Sequence, residues 1–291
     1  MDTHTLSSAP ALAPLLLRGA LLSPARRPRP GAEAPRTRLV LPGVRIDLAR
    51  LAAYERICGF GVGADALPVT YPHVLGFPLA VWIMSGRGFP LPLLGLVHTS
   101  IEITRHRTLT ATGAYELTVY ADGLVPHRRG TEAVLVTEAR SGGALVWESR
   151  STYLARHGTG RQEASPGPSP EPSGTEPSGE EAKPLPAVAQ WRLGEDLGRR
   201  YGAASGDRNP IHLHALTARL FGFPRAIAHG MWTVARCLAE HGTPDAVRVR
   251  ARFRAPVPLP GAVTYAAQGT AFALYGGEDR VHLTGEALPL G

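Results

Sequence analysis

A long interruption in the hydrophobic pattern divides this chain of 291 residues into two parts. Residues 159–187, TGRQEASPGPSPEPSGTEPSGEEAKPLPA, are rich in Pro, Gly, Ser and Glu and nearly free of large apolar side chains. Such a composition buries too little apolar surface to offset the entropy lost on ordering. We therefore predict a disordered linker over residues 158–187, between an N-terminal module at 38–157 and a C-terminal module at 188–291.

The residues ahead of the first module form an apolar but interrupted segment. The run APALAPLLLRGALL contains Pro14 and Arg18 and falls short of the roughly 20 apolar residues that cross a bilayer. A basic stretch, SPARRPRPGAEAPRTR, follows it. We expect no membrane span here and predict a flexible N-terminal arm, loosely ordered or docked, over residues 1–37.

Both modules repeat one order of elements. In each, a helical pattern precedes a largely apolar helix, and strands with alternating or continuous apolar residues follow. The segments of the first module are DLARLAAYERICGF, YPHVLGFPLAVWIMSG, VHTSIEIT, YELTVYA and ALVWESRSTYLA, and those of the second are EDLGRRYGAAS, HGMWTVARCLAE, AVRVRARFRAPV, VTYAAQGTA and RVHLTGEAL. A curved antiparallel sheet wrapped around a central helix satisfies this order. The predicted class is therefore α+β, with two such sheets.

Charge and cysteine content narrow the classes of partner. The chain has 31 basic and 24 acidic residues, and Lys183 is its only lysine. Arginine favours bidentate phosphate binding, although a coding bias gives the same excess. No nucleic-acid motif accompanies the charge, so we expect no nucleic-acid partner. Cys58 and Cys237 lie far apart in apolar surroundings, which favours buried thiols in a reducing compartment and a cytoplasmic protein.

The stretch SGDRNPIHLH, residues 205–214, concentrates proton-handling side chains behind a helical segment. Gly206 can end that helix in the left-handed conformation, and Pro210 keeps Asn209 out of the helical region. Asp207 and His212 can then converge across one turn. A carboxylate and an imidazole that titrates near neutrality are suited to holding and activating a water molecule. Asn209 can brace the loop or orient a partner.

Two other interpretations of this loop remain open. Gly-Asp and Asn-Pro are ordinary turn chemistry, so the pair can be structural. A zinc site assembled from His212, His214, Asp207 and His229 is the second alternative. We expect no metal, because His214 also fits a helix start before ALTARLFG and can point to solvent.

A further candidate site lies at the start of the apolar helix of the second module. His229 and Gly230 stand where unpaired backbone N–H groups and the positive end of the helix dipole favour an anion. Glycine permits close approach, so the position suits an oxyanion. Alternatively, Gly230 is a packing glycine and His229 a helix cap.

The second module resembles the MaoC-like, (R)-specific enoyl-CoA hydratase family, also called hydratase 2. The resemblance covers about 30 continuous residues and rests on Tyr201, Ser205-Gly206-Asp207, Asn209-Pro210-Ile211-His212, Phe221-Gly222-Phe223 and Ile227-Ala228-His229-Gly230-Met231. It implies a hot-dog fold in which Asp207 and His212 bind the catalytic water. It also implies that Asn209, with Ser205, supports the loop and that the Gly230 amide lies in the oxyanion region. The family often has aspartate where this chain has His214.

The first module lacks the Asp-x-Asn-Pro-x-His run and keeps only its helix and His73. It therefore resembles the degenerate half of a double hot-dog, a half that shapes the acyl pocket. Such a chain stands in for the dimer that single hot-dog proteins form. We expect either a monomeric double hot-dog or a homodimer of it.

The resemblance implies reversible syn addition of water to a trans-2-enoyl thioester, giving the (R)-3-hydroxyacyl thioester, in fatty-acid or related acyl metabolism. No cofactor is expected beyond CoA or the phosphopantetheine of an acyl carrier protein. The strand arginines Arg250, Arg252 and Arg254 are candidates for binding the carrier phosphates, or form a solvated face. A hot-dog thioesterase and a non-catalytic acyl-binding partner subunit are the alternatives, since the fold hosts several functions.

Overall fold

The structure is a computed structural model that describes residues 2–26, 31–157 and 184–291. The predicted linker lies outside the described residues up to position 183. The first strand of the C-terminal half begins at Ala187, the last residue of that prediction.

The described residues form seven α-helices and eleven strands. The helices are α1 (Leu12–Leu22), α2 (Leu48–Cys58), α3 (Tyr71–Ser85), α4 (Leu197–Ser205), α5 (Pro210–Leu213), α6 (Ala215–Leu220) and α7 (Gly230–His241). The strands are β1 (Asp2–Thr5), β2 (Thr37–Arg45), β3 (Val97–Arg105), β4 (Ala114–His127), β5 (Gly130–Ser141), β6 (Ala144–Arg156), β7 (Ala187–Leu193), β8 (Val247–Phe253), β9 (Gly261–Gln268), β10 (Ala271–Tyr275) and β11 (Val281–Pro289).

The strands form one continuous sheet in the order β1-β2-β4-β5-β6-β3-β8-β11-β10-β9-β7. Each half follows the same path, in which its first, third, fourth, fifth and second strands are neighbours. The two predicted sheets are therefore joined edge to edge, through antiparallel pairing of β3 with β8 from Ser100↔Arg252 to Arg105↔Val247.

Each half has two strands more than the sequence patterns indicated, β2 and β5 in the first and β7 and β10 in the second. Strand β7 is mostly exposed, so it carries little of the alternation that reveals a strand. Strand β10 follows β9 through a tight turn with Gly269 in the left-handed conformation, and the two read as one segment in the sequence.

The two apolar helices occupy the centres of the halves as predicted. Twelve residues of α3 are buried, and the helix packs on β4 and β5. Gly76 on α3 lies so close to β5 that a methyl group there would overlap Thr137. Seven residues of α7 between Met231 and Leu238 are likewise buried. The apolar character of both helices therefore reflects burial inside a curved sheet.

The described part of the N-terminal arm is docked on the first half. Strand β1 pairs in parallel with β2, and α1 packs on α3. The guanidinium of Arg26 donates to the carbonyls of Met84 and Ser85 at the end of α3. These carbonyls have no partner within the helix, so the arm satisfies the helix end.

The two halves cap each other's helices. From α2, Arg50 donates from Nε to the carbonyl of Ala204 at 2.9 Å and from Nη2 to that of Ser205 at 2.6 Å, at the end of α4. In return, the indole N–H of Trp232 on α7 donates to the carbonyl of Ile57 near the end of α2 at 2.8 Å. Buried helix ends need such partners, so each half completes the other.

No helix among the described residues is long and apolar enough to cross a membrane. Both cysteines, Cys58 and Cys237, are buried free thiols.

Replacing Trp232 by Phe removes the indole N–H and leaves the Ile57 carbonyl without its donor. We expect the free energy of unfolding, measured in urea, to fall by about 1–3 kcal/mol. The matched control is Trp191→Phe, because that ring stacks on Tyr265 but its indole nitrogen makes no hydrogen bond with a described residue. Equal losses in the two variants would contradict the capping role.

Candidate active site

The loop that carries the candidate dyad begins where α4 ends. Gly206 has φ of +87°, a left-handed conformation that glycine adopts without strain, and its N–H bonds to the carbonyl of Gly202. Pro210 then opens the single turn α5, with Asn209 as its N-cap. The irregular turn expected from the sequence is thus a short helix, with Asp207 before it and His212 inside it.

Local hydrogen bonds orient Asp207. Its Oδ1 accepts the N–H of Asn209 at 3.1 Å, and its own N–H donates to Oγ of Ser205 at 3.2 Å. The Ser205 hydroxyl in turn donates to the carbonyl of Tyr201 at 2.9 Å. The amide oxygen of Asn209 accepts the N–H of Ile211, so Asn209 holds the loop on both sides. The geometry agrees with the supporting roles predicted for Ser205 and Asn209.

The His212 imidazole is fixed as one tautomer. Its Nδ1 lies 2.8 Å from the carbonyl of Ile227, and because a carbonyl only accepts, Nδ1 carries the proton. Nε2 is therefore left as an acceptor. The backbone is positioned by α4, where a methyl group on Gly198 would overlap the carbonyl of His212. His214 is exposed and lies outside this cluster.

His229 joins the loop to the start of α7. Its Nε2 donates to the backbone carbonyl of Asp207 at 2.9 Å and lies 3.9 Å from Oδ2 of the same residue. Its ring stacks on that of His212, with 3.8 Å between centroids, and contacts Tyr201 at 4.7 Å. The side chain makes no cap bond to α7. His229 therefore holds the loop that carries the candidate dyad, where the sequence suggested a helix cap or an oxyanion residue.

Asp207, His212 and His229 form a compact cluster. One carboxylate oxygen and one nitrogen of each imidazole all lie within 4.8 Å of one another. Two hydrogen bonds of about 2.8 Å can span such a separation, so Asp207 and His212 can share one water molecule. His212 and His229 are buried, whereas the Asp207 side chain is 26% exposed.

Burial shifts both members of the dyad towards their neutral forms. It raises the pKa of the Asp207 carboxyl, while His212 and the Asn209 amide lower it. It lowers the pKa of the His212 imidazole, while Asp207 and the Ile227 carbonyl raise it. The pKa of His229 is held well below its ordinary value by burial and by His212. At neutral pH both imidazoles are therefore uncharged.

The stacking of the two rings bears on the zinc alternative. Imidazole ligands direct in-plane lone pairs at a metal about 2.0–2.1 Å away. Rings 3.8 Å apart and inclined by 27° keep their planes separate. A common ion cannot lie in both planes at bonding distance, so the arrangement does not fit a metal site.

Gly230 is the first residue of α7, where backbone N–H groups have no partner within the helix. The space beside it is bounded by Phe253 of β8, whose ring would lie 2.9 Å from a methyl group on Gly230. Glycine is therefore required here by close packing against Phe253, as the packing alternative proposed, and the oxyanion role of the Gly230 N–H stays a prediction.

The N-terminal half supplies residues that the sequence reasoning missed. Tyr153 of β6 pairs across strands with His98 of β3, and their rings stack at 4.5 Å. His98 also contacts Phe253 at 4.7 Å. Burial, followed by the charge of Asp207, raises the pKa of Tyr153, so this phenol lies near the dyad. The only signal in the sequence was the alternation in ESRSTYLA, which places Tyr153 on the inner face of its strand.

His73, the histidine retained in the first module, lies beside this group, with its ring 6.1 Å from that of His98. Burial lowers the pKa of His73 to about 4. Nδ1 of His73 and Nε2 of His98 are buried without a hydrogen-bond partner among the described residues. The interior next to the dyad is thus partly polar.

Of the two interpretations of the strand arginines, the structure favours the solvated face. Along β8, Val247, Val249 and Ala251 face the interior, so Arg250 and Arg252 lie on the opposite face of the sheet. Arg250 is paired with Glu102 at 2.8 Å and with Glu286 at 3.3 Å. Arg254 follows the strand and is exposed. Because Arg250 is neutralised on the outer face, the geometry does not support its role in binding carrier phosphates.

A double hot-dog with an aspartate–histidine cluster in its C-terminal half is the class that this fold and this cluster define. Residues 172–281 match the MaoC-like domain model. The chain is 40% identical over 227 residues to 3-hydroxyacyl-thioester dehydratase X of Mycobacterium tuberculosis, covering 77% of this chain and 78% of that protein. The chain therefore belongs to the MaoC-like family.

Comparison with solved structures also finds MaoC-like proteins with this fold. A crystal structure of HtdX from Mycobacterium tuberculosis matches with a TM-score of 0.74 and 33% identity, over 87% of this chain and 100% of that one. A MaoC-like dehydratase from Phytophthora capsici matches with a TM-score of 0.68 over 88% of this chain and 95% of that one. At 16% identity, the second match concerns the fold alone.

The two hydrogen bonds from the Arg50 guanidinium should hold the loop that carries the candidate dyad. In Arg50→Gln we expect amide hydrogen exchange over residues 204–212 to accelerate about tenfold or more, because the two hydrogen bonds to the end of α4 are lost. Arg50→Lys should recover part of the protection, since an ammonium replaces the fork with a single donor site. Arg56→Gln is the control on the same helix, and acceleration equal to that of Arg50→Gln would contradict the assignment.

The His212 imidazole should titrate below its ordinary value of about 6.5, with Nδ1 protonated in the neutral form. NMR of histidine labelled with ¹⁵N measures both properties, and His212→Ala identifies the signal. In Asp207→Asn the midpoint should fall further, because the carboxylate that favours the imidazolium is gone. A midpoint that rises in this variant would refute the coupling.

Proposed function

We propose that this protein is a hydro-lyase that catalyses reversible, (R)-specific hydration of trans-2-enoyl thioesters. The observation that carries the proposal is the close grouping of Asp207 and His212 at the N-terminus of α7. The relative 40% identical to the chain is named a 3-hydroxyacyl-thioester dehydratase, which performs the reverse reaction. Reactions of this kind belong to fatty-acid or related acyl metabolism.

The hydrogen-bonding state of the dyad suits one water molecule. Oδ1 of Asp207 is occupied by Asn209, and Oδ2 lies towards the imidazoles. His212 offers the lone pair of Nε2, because Nδ1 is bound to Ile227. A water that donates one hydrogen to each of these acceptors keeps its oxygen lone pairs free to attack.

In the hydration direction, the water oxygen forms a bond to the β-carbon while one member of the dyad takes a proton from the water. The electron pair of the carbon–carbon double bond moves towards the thioester carbonyl and gives an enolate. A proton from the dyad is then delivered to the α-carbon on the same face, and the (R)-3-hydroxyacyl thioester results. Dehydration follows the same steps in reverse.

The enolate oxygen is assigned to the N-terminus of α7. The Gly230 N–H is the donor, and the helix dipole adds to it. Removing one donor of this kind typically costs about 3–4 kcal/mol of transition-state stabilisation. Thioester activation makes the α-carbon acidic enough for this chemistry without a metal, in keeping with the stacked imidazoles that cannot share an ion.

No cofactor enters the proposed reaction beyond the acyl carrier, which is CoA or the phosphopantetheine of an acyl carrier protein. The N-terminal half contributes to the site through Tyr153 and His98. The two buried free thiols are compatible with work in a reducing compartment, and we place the protein in the cytoplasm.

Crotonyl-CoA provides the direct test. We expect the purified protein to consume the conjugated double bond, followed by the loss of enoyl absorbance. Asp207→Asn and His212→Ala should each lower kcat/KM by about 10²–10⁴, the usual contribution of a positioned acid or base. Chiral chromatography of the product should give the (R)-3-hydroxyacyl thioester.

His214→Ala is the matched control, because His214 lies two residues from His212 and its side chain is exposed. Its kcat/KM should stay within about twofold of the parent value. Release of free thiol with crotonate as the product would identify a thioesterase, and no reaction at all would leave an acyl-binding subunit. Full activity in both dyad variants would refute the site assignment.

A further inference from the structure

Two leucines beside the active site are left open to solvent. Leu216 and Leu220 lie on α6, which begins three residues after His212. They are 76% and 82% exposed, the highest values among the exposed large apolar residues of the described chain. Residues four apart share one face of a helix, so they form a single apolar patch, which we call the leucine face.

Arginines flank both ends of the leucine face. The guanidinium of Arg199 donates to the carbonyl of Leu213, just before α6, at 3.3 Å. Nε of Arg219 donates to the carbonyl of Pro224, just after α6, at 3.3 Å. Arg225 follows directly in the chain. We call these three residues the basic flank.

The charge of the basic flank is not neutralised. From Leu197 to Ala239, Asp207 is the only acidic residue, against six arginines. Among the described residues, none of the ion pairs involves Arg199, Arg219 or Arg225. All three are exposed. The surface next to the dyad therefore combines an apolar centre with a cationic rim, an arrangement typical of protein interfaces.

We propose that the leucine face and the basic flank dock an acidic, helical carrier domain that presents the acyl thioester on a phosphopantetheine arm. The proposal rests on the proposed function, since it names the carrier for the same reaction. Acidic side chains on such a domain complement the three arginines, and apolar side chains between them cover the two leucines.

Other occupants fit the surface less well. The phosphates of free CoA can meet the arginines, but a nucleotide offers no apolar helix to cover leucines one turn apart. A second copy of this chain paired through a two-fold axis would place like charges opposite each other, which is unfavourable. A small interface of this kind suits the brief encounter that turnover requires.

The experiment compares the crotonyl group on a discrete acyl carrier protein with the same group on CoA. In Leu216→Gln/Leu220→Gln we expect kcat/KM for the carrier-bound thioester to fall about tenfold or more, with the value for crotonyl-CoA changed less than about twofold. Arg219→Gln should act in the same direction, and its effect should diminish as ionic strength rises.

The matched control is Leu17→Gln/Leu21→Gln on α1. These leucines have the same spacing and are 62% and 72% exposed. The control should leave both substrates unaffected. Equal losses on both thioesters in the α6 variant, or no loss on either, would overturn the docking surface. So would a change of the α6 variant from dimer to monomer in sedimentation, which would identify a self-association face.

Direct binding separates this proposal from the proposed function. Titration of the holo carrier protein, followed by NMR of its ¹⁵N-labelled amides, should show binding to the parent chain and loss of binding to the α6 variant. If crotonyl-CoA is hydrated but the carrier does not bind, the docking surface fails and the function stands. If the carrier binds and neither thioester reacts, the function fails and the docking surface stands.

Discussion

The antiparallel pairing of β3 with β8 is the constraint on which the rest of this structure depends. It joins the two half-sheets along their second strands, so that both central helices lie against one continuous sheet. It also brings α2 of one half against α4 of the other. The loop that carries the candidate dyad leaves the end of α4, so its position is decided by contacts between the halves as well as by its own turn chemistry.

Desolvation shifts the pKa values of the Asp207 carboxyl and the His212 imidazole in opposite directions. Burial raises the pKa of the Asp207 carboxyl and lowers the pKa of the His212 imidazole, and the mutual attraction of the two groups opposes both shifts. The proton-accepting atoms of Asp207 and His212 are therefore only weakly hydrated. The remaining hydrogen-bonding positions are taken by backbone groups, which leaves Oδ2 of Asp207 and Nε2 of His212 as the free acceptors. The water activation that we propose needs a fixed orientation of these acceptors more than a strongly basic group.

The half without the dyad is retained because the other half is incomplete without it. Its Arg50 satisfies the carbonyls at the end of α4, and its Tyr153 and His98 form part of the wall next to Asp207. The C-terminal half reciprocates through Trp232. A buried helix end left without donors costs about 1–3 kcal/mol per group, so neither half presents a stable surface alone at this interface. The prediction that this half shapes the acyl pocket stays a prediction, and Tyr153 and His98 add polar groups to the wall beside Asp207.

The sequence by itself determined the class of fold, the two central helices, six of the strands and the dyad. Asp207 and His212 are five residues apart, and Gly206 and Pro210 dictate a turn that brings them together, so local chemistry was enough. Short or exposed strands such as β10 and β7 lacked the alternation that reveals them. Only the tertiary structure decided the roles of His229, Arg50, Tyr153 and Arg250. The contacts of these residues join segments far apart in the chain, and such contacts depend on strand order and register, which local patterns do not encode.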